Sequence, residues 1–196
     1  MNIVERVKRI LMSPATEWPV IGAETTPTAT LITGYVVPLA AVSAIAAFIG
    51  QVVVGVSVLG TTYRASAGAG LVTAVWAVAA AVIGVFVCAY IINAFAPTFG
   101  AAKSDPQAIK VAAYSFTPAW VADVLQIIPV LGVLSILGLF YAAYLMYLGL
   151  IALMKAPEDK AVGYTAVVII VAIVVMFVLA AIGGLLVGGA ALGPRY

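Results

Sequence analysis

Between positions 111 and 154 the chain runs for 44 residues with one charged side chain, Asp123. An isolated carboxylate in such a run has two chemical uses. It can exchange protons beside a water-filled path, or it can be held locally by hydrogen bonds inside a helix bundle. If the run folds back at Pro129, Asp123 lies six residues before the fold and Ser135 six after it. Ser135 is then the nearest donor by depth, with Gln126 one turn further out. Tyr141, Tyr144 and Tyr147 recur every three residues and share one side of a helix. Tyr114 and Tyr144 sit 15 residues either side of Pro129, which predicts similar depths. Their hydroxyls could line a polar path. Packing is the preferred role, with hydroxyls bonding backbone, including the carbonyl that Pro118 frees by kinking its helix. No second intramembrane charge accompanies Asp123, so a locally satisfied polar group is preferred. A protonatable site is the alternative.

Little else in the chain could do chemistry. There is no histidine, which removes the commonest general base and metal ligand. The one cysteine, Cys88, lies in an apolar run. The other carboxylates fall in the amino-terminal segment and in polar loops, and Lys155, Glu158, Asp159 and Lys160 read as a solvated turn. No phosphate-cradling loop, metal-ligand cluster or nucleophile–base pair is present. Neither an enzyme nor a cofactor is expected.

Those few polar residues must be positioned by membrane-embedded elements. Hydrophobic residues make up 65% of the 196 positions and charged residues 8%, against roughly 25% charge in soluble domains. A water-soluble fold is excluded. The net charge of +2 does not suggest a nucleic-acid partner. As one helix, residues 111–154 would extend ~66 Å, about twice the ~30 Å hydrocarbon core. The run must therefore be a hairpin, broken in residues 127–132 around Pro129 and Gly132.

Residues 1–13 read as a short amphipathic helix, with Ile3, Val4, Val7, Ile10 and Leu11 on one face and Glu5, Arg6, Lys8 and Arg9 on the other. It can lie on an anionic membrane surface, or serve as a basic leader packed under the bundle. The polar, proline-rich stretch after it argues against a secretory signal. Residues 14–30 read as an irregular membrane-edge segment, with Trp18 as an interface anchor. Spans are then expected at 31–60, 71–96, 111–128, 131–154 and 161–192, with Pro38 as a candidate kink in the first. Asn93, Gln51 and Gln126 fall near span ends or between helices. Ala80, Gly84 and Cys88, and again Ala180, Gly184 and Gly188, form small-residue stripes that suit close helix approach. The division is thus 1–30, a helix and edge segment, and 31–196, a five-span helical domain.

Five spans put the termini on opposite sides. Arg6, Lys8, Arg9, Lys103, Lys110, Lys155 and Lys160 fall on the amino-terminal side, with Arg64 and Arg195 on the other. The positive-inside bias predicts a cytoplasmic amino terminus and an external carboxyl terminus.

The hairpin also carries a family signature. Phe99-Gly100, the basic loop after it, Tyr114-Ser-Phe-Thr-Pro118, Tyr141-Ala-Ala-Tyr144-Leu-Met-Tyr147-Leu-Gly149 and the loop from Met154 to Lys160 resemble the YIP family of Ypt/Rab-interacting membrane proteins. Ser13-Pro14 with Trp18 is similar to the amino-terminal edge of short prokaryotic members. The resemblance implies an all-α, five-span bundle with a cytoplasmic amino terminus. Its eukaryotic members carry a longer amino-terminal region with an Asp-Leu-Tyr-Gly-Pro type motif, absent here, so Rab binding does not carry over. The expected function is a non-enzymatic inner-membrane protein that organises lipids or membrane partners, including further copies of itself through the small-residue faces. The alternative is a small transporter or channel using Asp123.

Overall fold

The structure, a computed structural model, describes residues 2–58 and 61–191, with side chains at 2–56 and 61–186. The environment of Gly188, and the tail from Leu192 through Arg195, lie outside the described residues, as does Gly60, the expected end of the first span.

Two short helices lead. Helix α1 (Ile3–Met12) is capped by Asn2, whose Oδ1 accepts from the amides of Val4 and Glu5 at 3.1 and 3.3 Å. Helix α2 (Pro14–Ala23) replaces the expected irregular segment. Pro14 stands at its start, where a missing amide costs nothing. Pro19 costs the bond to Ala15, whose carbonyl belongs to an exposed residue.

Helix α3 (Thr28–Val54) is the first long apolar helix. It accommodates Pro38 by a π-turn at Ile32–Val36, in which the Val37 amide reaches back to the Ile32 carbonyl. It ends at Val54, six residues earlier than the sequence suggests, because Gly55 adopts a positive φ of 85°. An antiparallel hairpin follows, β1 (Val56–Val58) with β2 (Thr61–Tyr63), pairing Val56 with Tyr63. Helix α4 (Ala67–Phe95) returns, and α3, the next helix and the last helix all pack on it.

The hairpin of the sequence is present and reverses at Ile128, which is extended between two 3₁₀ turns, Asp123–Ile127 and Pro129–Leu134. Its first arm is not one helix. Helix α5 (Asp105–Ser115) breaks at Phe116, α6 (Thr117–Ala122) resumes with Pro118 in its first turn, and 3₁₀ geometry follows. The second arm is α7 (Ser135–Met154), ended by Lys155 in the left-handed conformation. Helix α8 (Glu158–Ala191) closes the bundle against α4. Among the described residues four helices are long and apolar enough to cross a membrane: α3, α4, the segment Pro129–Met154 and the segment Glu158–Leu186. The broken arm is not among them, so helix length supports four of the five expected spans.

The path of the chain defines two ends. At one end α1 and α2 meet the loops on either side of the hairpin: the Ala102 amide donates to the Met154 carbonyl at 2.6 Å, and Gly100 faces Pro157. At the other, the hairpin tip shares a cavity with the β-hairpin, Gln126 and Pro129 lying opposite Gln51 and Arg64. The buried core, including Trp18, Tyr35, Ile92, Tyr114, Leu150 and Tyr164, is gathered toward the first end. Elsewhere Ile, Val, Leu and Phe side chains stand exposed along the long helices. Only 11–39% of the most apolar stretch of each candidate span is buried within the protein. Such faces suit hydrocarbon as their solvent.

The small-residue stripes are displaced from their expected use. A methyl group added at Gly84 or Gly184 would meet nothing within 4 Å, while Gly183, one residue away, is covered by the Trp76 ring. Trp76 Nε1 donates to the Leu179 carbonyl at 3.1 Å in the same contact.

Candidate functional site

The most elaborate polar constellation lies where α1, α2, α5 and the start of α3 converge. Arg6 is buried, 6% exposed, and its two terminal nitrogens each donate to a carboxylate, Glu17 and Glu24. Its guanidinium carbon stands 5.8 Å from the centre of the Tyr114 ring, a cation–π distance. Burial opposes the positive charge. The hydrogen bond to Glu24 and the charges around it outweigh that and hold the guanidinium above its ordinary pKa. Tyr114 is flanked edge-on by Trp18, at 6.4 Å and 87°, and by Tyr35 at 4.7 Å. The Tyr35 hydroxyl pairs with Thr117 Oγ1 at 2.8 Å, just after the break in the hairpin arm.

The end of α2 is closed from α5. Lys110 Nζ donates to the carbonyls of Ile21 and Glu24 at 2.9 and 2.5 Å, and Gln107 Nε2 to that of Gly22 at 3.1 Å. An ammonium on the last carbonyls of a helix satisfies acceptors that have no intrahelical partner and complements the helix dipole. The Tyr141 hydroxyl donates to the Leu11 carbonyl at 2.6 Å and fixes the end of α1 in the same way. Asn93 accepts from the Ser104 amide at 2.8 Å and donates to Asp105, joining α4 to α5. Phe99, from the signature loop, stacks on Tyr164 at 4.9 Å and 10°.

This geometry corrects several expectations. Arg6 is not on the solvent face of α1. Its inward face has Arg6 and Ile10 buried and Ile3, Val7 and Leu11 half-buried against the core, while Val4 is 72% exposed. Lys8 and Arg9 do face outward, Arg9 pairing with Glu5 at 2.7 Å. Trp18 is not an interface anchor. It is 1% exposed, because Gly149 on α7 leaves room for its ring. Tyr114 is buried in the clamp, whereas Tyr144 is 47% exposed and leans on Tyr141.

Asp123 sits at the opposite end. Its Oδ1 accepts from Gln126 Nε2 at 2.6 Å. The Ser135 hydroxyl lies within reach of the same carboxylate and of the Ala122 carbonyl, the latter at 3.2 Å. Both expected donors are present, at the base of the hairpin turn.

Sequence reasoning missed Glu17, Glu24, Tyr35, Lys110 and Thr117. A usable signal existed in Glu17 and Glu24, which are two helical turns apart and share a face. What the cluster can do chemically is limited. Arg6 is shared between both carboxylates, and Lys110 is spent on carbonyls. Among the described residues no group of three or more His, Cys, Asp or Glu side chains could hold a metal.

Apolar helices around a polar clamp at one end define a polytopic helical membrane protein. The comparison with known families makes this specific. The family model of the Yip1 domain matches residues 8–188, and the chain belongs to the Yip1 family. No curated protein and no solved structure matches it significantly.

Proposed function

We propose that the protein is a non-enzymatic organiser of membrane lipids or membrane-protein partners, built on five crossings of the cell's inner membrane. Its amino terminus is cytoplasmic and its carboxyl terminus external. The observation that carries this reading is the way α1 and α2 are clamped to the bundle. Arg6, Glu17, Glu24 and Lys110 hold the pair rigidly, leaving Val4, Lys8, Arg9 and Met12 exposed on its outer side. A fixed apolar–basic surface is suited to anionic headgroups, each basic residue contributing roughly 1 kcal/mol. The open faces at Gly84 and Gly184 leave room for a second helix, from another copy or another membrane protein.

The full chain, reconstituted in liposomes, tests the reading. A fluorophore at Met12→Cys, with Cys88 replaced, should be quenched by headgroup-attached quenchers. Quenching should grow with anionic lipid and fall in Lys8→Glu/Arg9→Glu. Ion flux should stay at the level of empty liposomes. A flux that Asp123→Asn abolishes without unfolding the protein would replace this reading with that of a transporter.

A further inference from the structure

The end opposite α1 carries a cavity of about 680 Å³, open to the surface and built from three distant stretches of chain. Gln51 comes from the end of α3, Tyr63 and Arg64 from β2 and the residue after it, and Gln126, Pro129 and Gly132 from the hairpin tip. The two sides are pressed together: a methyl group on Gly50 would overlap the Gln126 carbonyl.

The lining has a definite chemical character. Arg64 uses Nε on the Val54 carbonyl at 3.3 Å, and its terminal nitrogens have no partner among the described residues. The Gln51 amide is likewise unbonded there, and Gln126 has its carbonyl oxygen left after donating to Asp123. No carboxylate lines the cavity. One fixed positive charge, two amides and a phenol therefore face a common space. The apolar part of the lining is Ala47, Val56, Ala65 and Pro129, with Val56 45% exposed. Guanidinium donors suit a phosphate ester, and amide carbonyls suit headgroup hydroxyls. Apolar side chains beside them suit acyl chains.

We infer that this cavity binds the phosphate-bearing headgroup of a membrane lipid. The phosphate oxygens accept from Arg64, the headgroup hydroxyls donate to Gln51 and Gln126, and the chains leave over Val56 and Pro129. Free phosphate shares the anionic chemistry but would leave the apolar border unused. The inference does not rest on the role proposed for α1, which lies at the other end.

The test uses the full chain in a neutral detergent, titrated with dihexanoylphosphatidylglycerol while thermal unfolding is followed. Dihexanoylglycerol, which lacks the phosphate, and inorganic phosphate are run beside it. Saturable stabilisation by the phospholipid alone is expected. Its midpoint concentration should rise about tenfold or more in Arg64→Gln, as for loss of a charge-assisted contact, and should hold in Lys103→Gln, an exposed cation outside both surfaces. Gln51→Leu, away from the charge, should weaken binding without altering the unliganded protein, and it serves as the test if Arg64→Gln does not fold. Equal stabilisation by inorganic phosphate would show a soluble-anion site, and equal stabilisation by dihexanoylglycerol a purely apolar one. Either result overturns the inference, as does a midpoint unchanged in both variants.

Discussion

Arg6 is held by two carboxylates of unequal exposure, Glu17 at 5% and Glu24 at 30% of the side chain. Removing it strands Glu17 in the interior, whereas Glu24 can turn to water. Arg6→Met should therefore destabilise the full chain by about 3–5 kcal/mol in detergent unfolding, and Arg6→Met/Glu17→Leu by less than Arg6→Met alone. An equal or larger loss in the double variant would mean that the pair is not an uncompensated-charge problem. Arg6→Lys should fall between, because one ammonium cannot fork to two carboxylates. At Asp123, Asn can still accept from Gln126, while Leu leaves that amide unpaired; Ser135 keeps the Ala122 carbonyl in either case. Leu should cost about 1–3 kcal/mol and Asn much less. Asp123 and its donors are legible in the sequence because position along a hairpin sets depth. Arg6 is not legible while charge is weighed above register, although it lies three residues from Ile3 and four from Ile10. Trp18 needs Gly149, 131 positions away, which no local pattern reveals.

Among the elements, glycine exchanges separate real helix contacts from apparent ones. A methyl on Gly138 would stand 2.7 Å from both the Ala122 Cβ and the Pro118 carbonyl, where α6 meets α7. Gly138→Ala should cost roughly 1–3 kcal/mol, as overpacking does, with lower thermal stability in detergent. Gly84→Ala, facing open space on α4, should be neutral or stabilising by roughly 0.4–1 kcal/mol. Matching effects would show that the α6–α7 approach is not close. The hairpin turn is readable because Pro129 and Gly132 interrupt an overlong apolar run. The stripes are readable in kind but not in phase: Gly183 meets Trp76, whereas Gly184 points away. The β-hairpin is hidden because Val56, Ser57 and Val58 sit in the same uncharged run as α3 and raise its hydropathy. The helix before them stops only because Gly55 takes a conformation its side-chain-bearing neighbours avoid.

At the scale of the molecule, the described residues run between the two ends four times as a long helix, and the broken arm from α5 through Ile127 is the candidate for a fifth passage. That arm has 23 residues, Asp105 to Ile127. Partly 3₁₀, it reaches ~35 Å, enough for a ~30 Å core. The apolar stretch from residue 111 is what suggests a span here, and the Pro118 break explains why it holds no helix long enough to cross. The same path gathers Arg6, Lys8, Arg9, Lys103, Lys110, Lys155 and Lys160 at one end, with Arg64 at the other. If all five passages cross, the positive-inside bias requires residues 66 and 103 to lie on opposite faces, with 103 inside. Both positions are exposed. With Cys88 replaced, Ser66→Cys should react with an impermeant maleimide on intact cells, and Lys103→Cys only after permeabilisation. Should the broken arm fail to cross, Ser66 and Lys103 would keep this pattern. The discriminating position is therefore Val130→Cys at the exposed tip, which must label from outside with Ser66. Labelling of Val130→Cys only after permeabilisation would mean that the broken arm does not cross, and would turn the hairpin tip back toward the cytoplasm.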